Sequence, residues 1–402
     1  MKRSLIALCS LVAVAMTVPV FAVDWPQFRG PLADGISKEK LFNVNWQEKA
    51  PKQLWKVDMN DDSYSGPSVV GGKVFIVGHS GENDIVKCLD LKTGAPVWDF
   101  PYPDPGASNF GYTRATPSVS KGLLVTLSRH GVVYCLDIKT GKQVWTRDLI
   151  KDFGGSMPGW GHSASPLIDG IKVIVCPGGK DASVAALDLK TGATIWQGGG
   201  SDPASFSTPV KAQILGTQQY VILSANVVKG VDIRDGKLLW QSDFKTNGGI
   251  NVPMPIVIGN SVFITASYNM GCSLIEIALN FTAAVKWHNK NMLAHFSTPI
   301  LMNGYIYGVG DPGKLMCIDP NDGTQKWAVD GFEKGPSIGI GEYLLTLVGN
   351  TGNLVLSKPS PEKYQEICRI PTLSGQSWTA PVYSNGMLLI RNTKALACYD
   401  MH

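Results

Sequence analysis

The nine residues DLKTGAPVW, at Asp90–Trp98, belong to a motif that recurs along the chain with the same spacing from Asp to Trp. The other copies are DIKTGKQVW (Asp137–Trp145), DLKTGATIW (Asp188–Trp196), DIRDGKLLW (Asp232–Trp240) and DPNDGTQKW (Asp319–Trp327), and a degenerate copy ends at Trp287. An Asp that accepts hydrogen bonds from the turn amides and a Gly with positive φ are typical of a tight hairpin turn. The flanking apolar residues indicate strands. We expect each Trp to fill the wedge between neighbouring sheets while its N–H donates to a backbone carbonyl.

A second marker, a Pro followed by an apolar strand, precedes these Trp residues by 28 to 32 positions. Successive Pro residues are 37 to 50 positions apart, and there are eight of them: Pro67, Pro117, Pro166, Pro209, Pro255, Pro299, Pro336 and Pro381. Each Pro opens a strand, a Gly-containing turn and a second strand. The repeat is therefore a unit of four antiparallel strands.

Eight four-stranded units without helical periodicity predict an all-β fold, an eight-bladed β-propeller. An open solenoid or stacked sandwiches are the alternatives. The last unit ends after three strands, and the segment KQLWKVDM around Trp55 is a lone strand before the first Pro. We expect this N-terminal strand to complete the last blade, because closing the ring in this way removes an exposed sheet edge.

The first 22 residues have the pattern of a cleavable signal peptide, with Lys2 and Arg3 before an apolar run and cleavage expected after Ala22. A lipoprotein signal acylated on Cys9 is the alternative, although Leu8 is large for the residue before such a cysteine. We therefore predict a signal peptide at 1–22, a propeller domain at 23–402, and a periplasmic or secreted protein without a transmembrane segment. We also expect a monomer.

The net charge narrows the possible partners. Subtracting Lys2 and Arg3 from the net charge of +4 leaves +2, which argues against a nucleic-acid partner.

Seven cysteines follow position 22, and four of them, Cys88, Cys135, Cys317 and Cys398, stand two residues before an Asp. Ala186 and Gly230 replace them in other repeats. This pattern favours a small buried residue, and disulfides between neighbouring blades are the alternative.

The repeated motif resembles the pyrroloquinoline-quinone-like (PQQ-like) propeller family, which includes quinoprotein alcohol dehydrogenases and the propeller lipoprotein of outer-membrane protein assembly. The resemblance covers nearly all of 23–402. It extends to segments outside the turn motif: DWPQFRGP, TRATP at Thr113–Pro117, WGHSASPLIDG at Trp160–Gly170, NMGCSLI at Asn269–Ile275, NKNMLAHFSTP at Asn289–Pro299 and SGQSWTAPV at Ser374–Val382. The resemblance is specific for the fold and weak for the function.

Two features of the quinoprotein dehydrogenases are missing from the sequence. It has no adjacent cysteine pair to lie over a quinone and no Cys-x-x-Cys-His motif to attach haem. We therefore predict no cofactor and favour a non-catalytic binding or scaffold module for a protein or a glycan. A PQQ-dependent dehydrogenase using calcium and a carbohydrate-processing propeller are the alternatives, and the sequence leaves open whether the protein is an enzyme.

A ligand site is expected at the mouth of the central channel, where the loops that enter the inner strands converge. The candidate ligand-binding residues stand just before the Pro markers or in the long loop at 146–165: Tyr64, Arg114, Trp160, His162, Asn251, His295, Lys334 and Trp378. Arginine, lysine and indole together suit a planar anion, a quinone or a sugar ring. The alternative is that these polar residues are only solvated. A metal bound by His162 and His295 is not expected, because their blades are three apart, and no catalytic residue is assigned.

Overall fold

The computed structural model describes residues 23–402 except positions 42 and 109, so the predicted signal peptide and Cys9 lie outside the described residues. Two short strands, β1 (Ile36–Ser37) and β2 (Lys52–Asp58), precede the repeats. Eight antiparallel blades of four strands each surround a central channel, which confirms the predicted eight-bladed propeller, and β1 adds a fifth, parallel strand to blade 7. Each inner strand begins at the residue after one of the eight Pro markers.

Blades 1 to 4 have the same strand order from the channel outward. Blade 1 contains β3 (Ser68–Val70), β4 (Lys73–Ser80), β5 (Asn83–Asp90) and β6 (Pro96–Pro103); blade 2 contains β7 (Ser118–Ser120), β8 (Leu123–Leu127), β9 (Val132–Asp137) and β10 (Gln143–Asp148); blade 3 contains β11 (Leu167–Asp169), β12 (Lys172–Val175), β13 (Val184–Asp188) and β14 (Thr194–Gly198); blade 4 contains β15 (Val210–Ile214), β16 (Thr217–Leu223), β17 (Val227–Asp232) and β18 (Leu238–Asp243).

Blades 5 to 8 complete the ring. Blade 5 contains β19 (Ile256–Ile258), β20 (Ser261–Ala266), β21 (Gly271–Ile277) and β22 (Ala283–Asn289); blade 6 contains β23 (Ile300–Met302), β24 (Tyr305–Gly310), β25 (Lys314–Ile318) and β26 (Gln325–Val329); blade 7 contains β27 (Ser337–Ile340), β28 (Tyr343–Leu347), β29 (Asn353–Ser357) and β30 (Glu366–Pro371); blade 8 contains β31 (Val382–Ser384), β32 (Met387–Arg391) and β33 (Ala395–Asp400). Among the described residues, one helix, α1 (Leu149–Phe153), and a 3-10 turn (Asn247–Gly249) lie in loops between blades.

The ring closes as predicted, because β2 pairs with β33 as the outer strand of blade 8 and Trp55 lies opposite Cys398. A buried ion pair supports this closure. The Arg391 guanidinium lies 2.7 Å from the Asp61 carboxylate and donates to the Ser65 and Val77 carbonyls, so it joins blade 8 to blade 1.

The recurring tryptophans join each blade to the next one. The Trp145 Nε1–H of blade 2 donates to the Leu189 carbonyl of blade 3 at 2.9 Å. Its ring lies against Gly192 of the same turn, where φ is +71° and an added Cβ would come within 2.7 Å of the ring. The corresponding bonds are Trp55 to Leu91, Trp98 to Ile138, Trp196 to Ile233, Trp287 to Pro320 and Trp327 to Ser360. The predicted role of the Trp is confirmed for these six residues.

The structure explains why a small residue stands before each Asp. Cys88, Cys135, Cys317 and Cys398 pair directly with the Trp of the adjacent outer strand, so only a small side chain fits beneath the indole. All seven described cysteines are buried and carry free thiols, which confirms the small-residue interpretation.

We predict that Trp145→Ala lowers the free energy of unfolding by about 3–5 kcal/mol, because it removes a buried ring and leaves a cavity between blades. Lys142→Ala in the exposed turn before it is the control, with an expected change below about 0.5 kcal/mol. Chemical denaturation of both variants measures the difference. Equal stabilities would contradict the role given to the tryptophan.

Candidate functional site

All eight connections between blades contribute to one cavity of about 250 Å³ at the channel mouth. It lies at the end from which the inner strands begin, because residues just before the Pro markers form much of its wall. The long loop after blade 2 begins with α1 and then continues to the mouth. The Asp148 side chain caps this helix by accepting from the Ile150 and Lys151 amides, and Leu149 and Phe153 anchor it in the core.

Six of the eight candidate residues line this cavity: Tyr64, Arg114, Trp160, His295, Lys334 and Trp378. The structure places the other two, His162 and Asn251, outside the lining. His162 is buried beside Gly131, and burial lowers its pKa to about 4. The Asn251 side-chain amide donates to the Ser224 carbonyl at 2.7 Å. Their surroundings indicate a structural role in the loops around the mouth.

Two groups of aromatic side chains form parts of the wall. In the first, the Trp378 ring stacks on Tyr64 with 5.6 Å between centroids and lies 4.9 Å from the Phe296 ring. In the second, Trp160 packs edge-on against Phe110 at 5.8 Å. Such walls bind flat or apolar groups through area and ring contacts.

Each aromatic group has a cationic side chain beside it. The Lys334 Nζ lies 5.2 Å from the Phe296 ring centroid and 5.4 Å from that of Trp378. The Arg114 guanidinium donates to the Trp160 carbonyl, and burial lowers the pKa of Arg114 to about 10. Within the described part of the chain, neither side chain forms an ion pair with a carboxylate. The wall is therefore electropositive.

The N-terminal segment at 25–37 closes the other end of the cavity, an arrangement that the repeat pattern does not predict. The Trp25 amide and carbonyl pair with Val69 in the inner strand of blade 1, and β1 pairs in parallel with β27 of blade 7. The segment thus crosses the channel and contributes Trp25, Phe28 and Arg29 to the lining. The motif DWPQFRGP is the sequence feature that marks this segment. Because the motif stands outside the repeats, the repeat spacing could not predict its position in the fold.

The lining residues do not suit a quinone held by calcium. Calcium binds through six to eight oxygen ligands, usually including carboxylates. No Asp or Glu belongs to the cavity lining that the structure describes. The same lack leaves the cavity without the pair of carboxylic acids that most glycosidases use. The donor set instead suits an acceptor-rich ligand.

The family model described as "Outer membrane protein assembly factor BamB" matches residues 82–329. This chain belongs to that family. The match confirms the predicted resemblance to PQQ-like repeat propellers. A curated BamB-family relative, the outer membrane protein assembly factor BamB of Moranella endobia (strain PCIT), is 22% identical over 305 residues, which cover 69% of this chain and 71% of the relative.

Solved structures similar to this BamB-family chain include another BamB and a methanol dehydrogenase. BamB from Moraxella catarrhalis has a TM-score of 0.62 and 16% identity, with 87% of this chain and 99% of that chain covered. A europium-containing methanol dehydrogenase has a TM-score of 0.66 and 14% identity, with 92% and 89% covered. These likenesses show the fold alone. No helix of the described residues is long and apolar enough to cross a membrane.

A buried charged network lies outside the cavity lining, in blade 1 of this BamB-family propeller. The His79 Nδ1 lies 2.9 Å from the Asp84 Oδ1 and 3.4 Å from the Asp104 Oδ2, a spacing that a metal ion could bridge. The protein already supplies partners, because the Arg129 Nε–H donates to both Asp104 oxygens at 2.9 Å. The His79 Nε2 also lies 2.8 Å from the Gly81 carbonyl oxygen. We interpret the group as a structural network.

Asp84 gives this network a pH dependence. Burial, together with the nearby Asp104 carboxylate, raises the pKa of Asp84 to about 7, whereas an unfolded Asp titrates near about 3.9. Between these values the folded state binds a proton that the unfolded state has lost, so this group's contribution to stability falls as pH rises.

We predict that Asp84→Asn becomes progressively more stable relative to the wild type as pH rises from 5 to 8, because the amide has no charge to bury. Denaturation at several pH values measures this difference. Asp90→Asn is the control. The hydrogen bond from Lys73 lowers the pKa of Asp90, so its effect stays constant over this range. A constant difference for Asp84→Asn would contradict the assignment.

Proposed function

We propose that this protein is an exported, non-catalytic binding propeller that holds a protein partner at the channel mouth. The supporting observation is the cavity itself, which combines aromatic walls and cationic side chains without a carboxylate in its described lining. Such a surface binds a partner through aromatic area and charge-assisted hydrogen bonds. The proposal agrees with the family description as an assembly factor.

The rim of the mouth favours a protein partner. Phe110 and Tyr268 are about half exposed, at 54% and 48%, and Trp160 is 37% exposed. All three also line the cavity. Exposed aromatic residues grouped around a pocket are typical of binding hot spots, because they bury a large apolar area when a partner docks.

We predict that a photoreactive amino acid replacing Phe110 forms a discrete cross-linked product with an envelope protein in the native cells. Arg114→Ala with Trp378→Ala should abolish this product, because the double change removes a cation and the stacked ring. The matched control is Arg234→Ala with Leu279→Ala, both exposed and outside the lining. A photoreactive residue at Leu279 controls for random collisions.

The properties of the cross-linked product distinguish a protein partner from a glycan and from an interface elsewhere on the propeller. A protease-sensitive product that depends on Arg114 and Trp378 supports a protein partner. A protease-resistant product stained for carbohydrate would indicate a glycan and overturn the protein assignment. A product that persists in the Arg114 and Trp378 variant would show that the mouth is not the interface.

A quinone-dependent dehydrogenase is the second candidate, because the fold resembles a methanol dehydrogenase. We expect the purified protein, incubated with PQQ and calcium, to show no alcohol-dependent reduction of an artificial dye. The described lining offers no carboxylate to hold the ion. A quinone spectrum together with dye reduction would replace the binding proposal with the enzymatic one.

A further inference from the structure

Three residues of the cavity lining have a buried side-chain nitrogen that lacks a hydrogen-bond partner in the described part of the chain. They are Arg29 (Nε), Arg114 (Nε) and Trp378 (Nε1). Arginine and tryptophan nitrogens of this kind only donate. Buried donors without acceptors are rare in folded proteins, and several in one cavity call for an explanation.

Arg29 is the most deeply placed of these residues. Its side chain belongs to the segment that closes the cavity, and the residue is 4% exposed. The Nη atoms donate to the carbonyls of Asp34, Thr298 and Pro299 at 2.9–3.0 Å, all of them neutral acceptors. No ion pair joins Arg29 to a carboxylate among the described residues, and its Nε–H stays unpaired. A buried cation in this state favours an anion beside it.

Lys334 adds a second argument from the backbone. Glu333 and Lys334 both adopt positive φ, at +30° and +56°, although neither is a glycine. Consecutive residues in this region carry backbone strain, which folded proteins retain mainly where the resulting geometry is used. Here the geometry holds the Lys334 ammonium over the Phe296 and Trp378 rings.

We propose that the cavity binds a carboxylate carried on a flat ring, with Arg29, Arg114 and Lys334 as its charge partners. This inference rests on the proposed function, which already assigns a ligand to the cavity. The three cations supply charge-assisted hydrogen bonds, and the aromatic walls supply stacking surfaces. The volume of about 250 Å³ lies just below the usual range for ligand pockets, roughly 300–1,000 Å³. The ligand is therefore small, either a free organic acid or an acidic ring-bearing group presented by the partner.

The test compares two probes of the same shape, 2-naphthoate and the neutral 2-naphthamide, by titration calorimetry with the full chain. The quenching of tryptophan fluorescence is a second readout, because Trp160 and Trp378 line the cavity. We expect naphthoate to bind roughly tenfold more tightly than naphthamide, because charge-assisted hydrogen bonds are about twice as strong as neutral ones.

Charge-removing variants assign this preference to the cavity. Lys334→Met and Arg114→Met keep long side chains and should each reduce the preference for naphthoate. Lys92→Met, in an exposed outer turn, should leave it unchanged. Arg29→Lys keeps the charge but removes the fixed fork of donors, so it should weaken naphthoate binding more than naphthamide binding. Melting temperatures show whether each variant is folded.

Equal binding of the two probes, or a preference that survives Lys334→Met and Arg114→Met, would overturn the carboxylate assignment. So would binding of neither probe. The Phe110 cross-link tests the proposed function separately, since it does not use these probes. Repeating the cross-link with saturating naphthoate distinguishes the two sources. Loss of the product assigns the carboxylate to the partner, and persistence of the product assigns it to a free organic acid.

Discussion

The indole N–H of an outer-strand tryptophan reaches past the edge of its own blade and donates to a turn carbonyl of the next blade. In five of the six cases the acceptor belongs to the residue directly after the turn Asp, as in Trp98 to Ile138. This bond requires three other residues in fixed places: a Gly beneath the ring in the next turn, an Asp that shapes that turn, and a small residue opposite the Trp. One contact between blades therefore accounts for most of the repeat.

The seam between blades 4 and 5 shows what happens when the acceptor turn is lost. Blade 5 has Asn280 and Phe281 in place of the Asp-Gly turn, and Trp240 donates instead to the Gln219 side chain of its own blade at 2.5 Å. Apolar packing joins the two blades here, with residues such as Val221 and Ile264 in one buried cluster. The ring thus tolerates a missing inter-blade bond where a continuous core remains.

The fold could be predicted almost completely from the sequence because its determinants are local and repeated. The Pro markers indicated the start of every inner strand, and Trp55 indicated the closure. The site was harder to predict, because candidate residues stand two to four positions before their Pro and the loops differ in length. Choosing the residues just before each Pro therefore identified Tyr64 and Trp378, which line the cavity, but also His162 and Asn251, which lie outside the lining. Arg29 was missed because its contacts with Thr298 and Pro299 span about 270 positions.

The position of Arg29 also bears on how one scaffold serves different ligands. The repeats form a ring whose inner strands begin at a generic mouth, whereas the cavity receives its deepest cation from a segment outside the repeats. That segment is held by backbone pairing with Val69 and with β27, so its side chains can change without disturbing the contacts between blades. The side chains of the loops before the Pro markers can likewise change without disturbing the contacts between blades. Ligand chemistry and ring stability therefore depend on separate sets of residues, which is why the repeat motif identifies the fold and says little about the ligand.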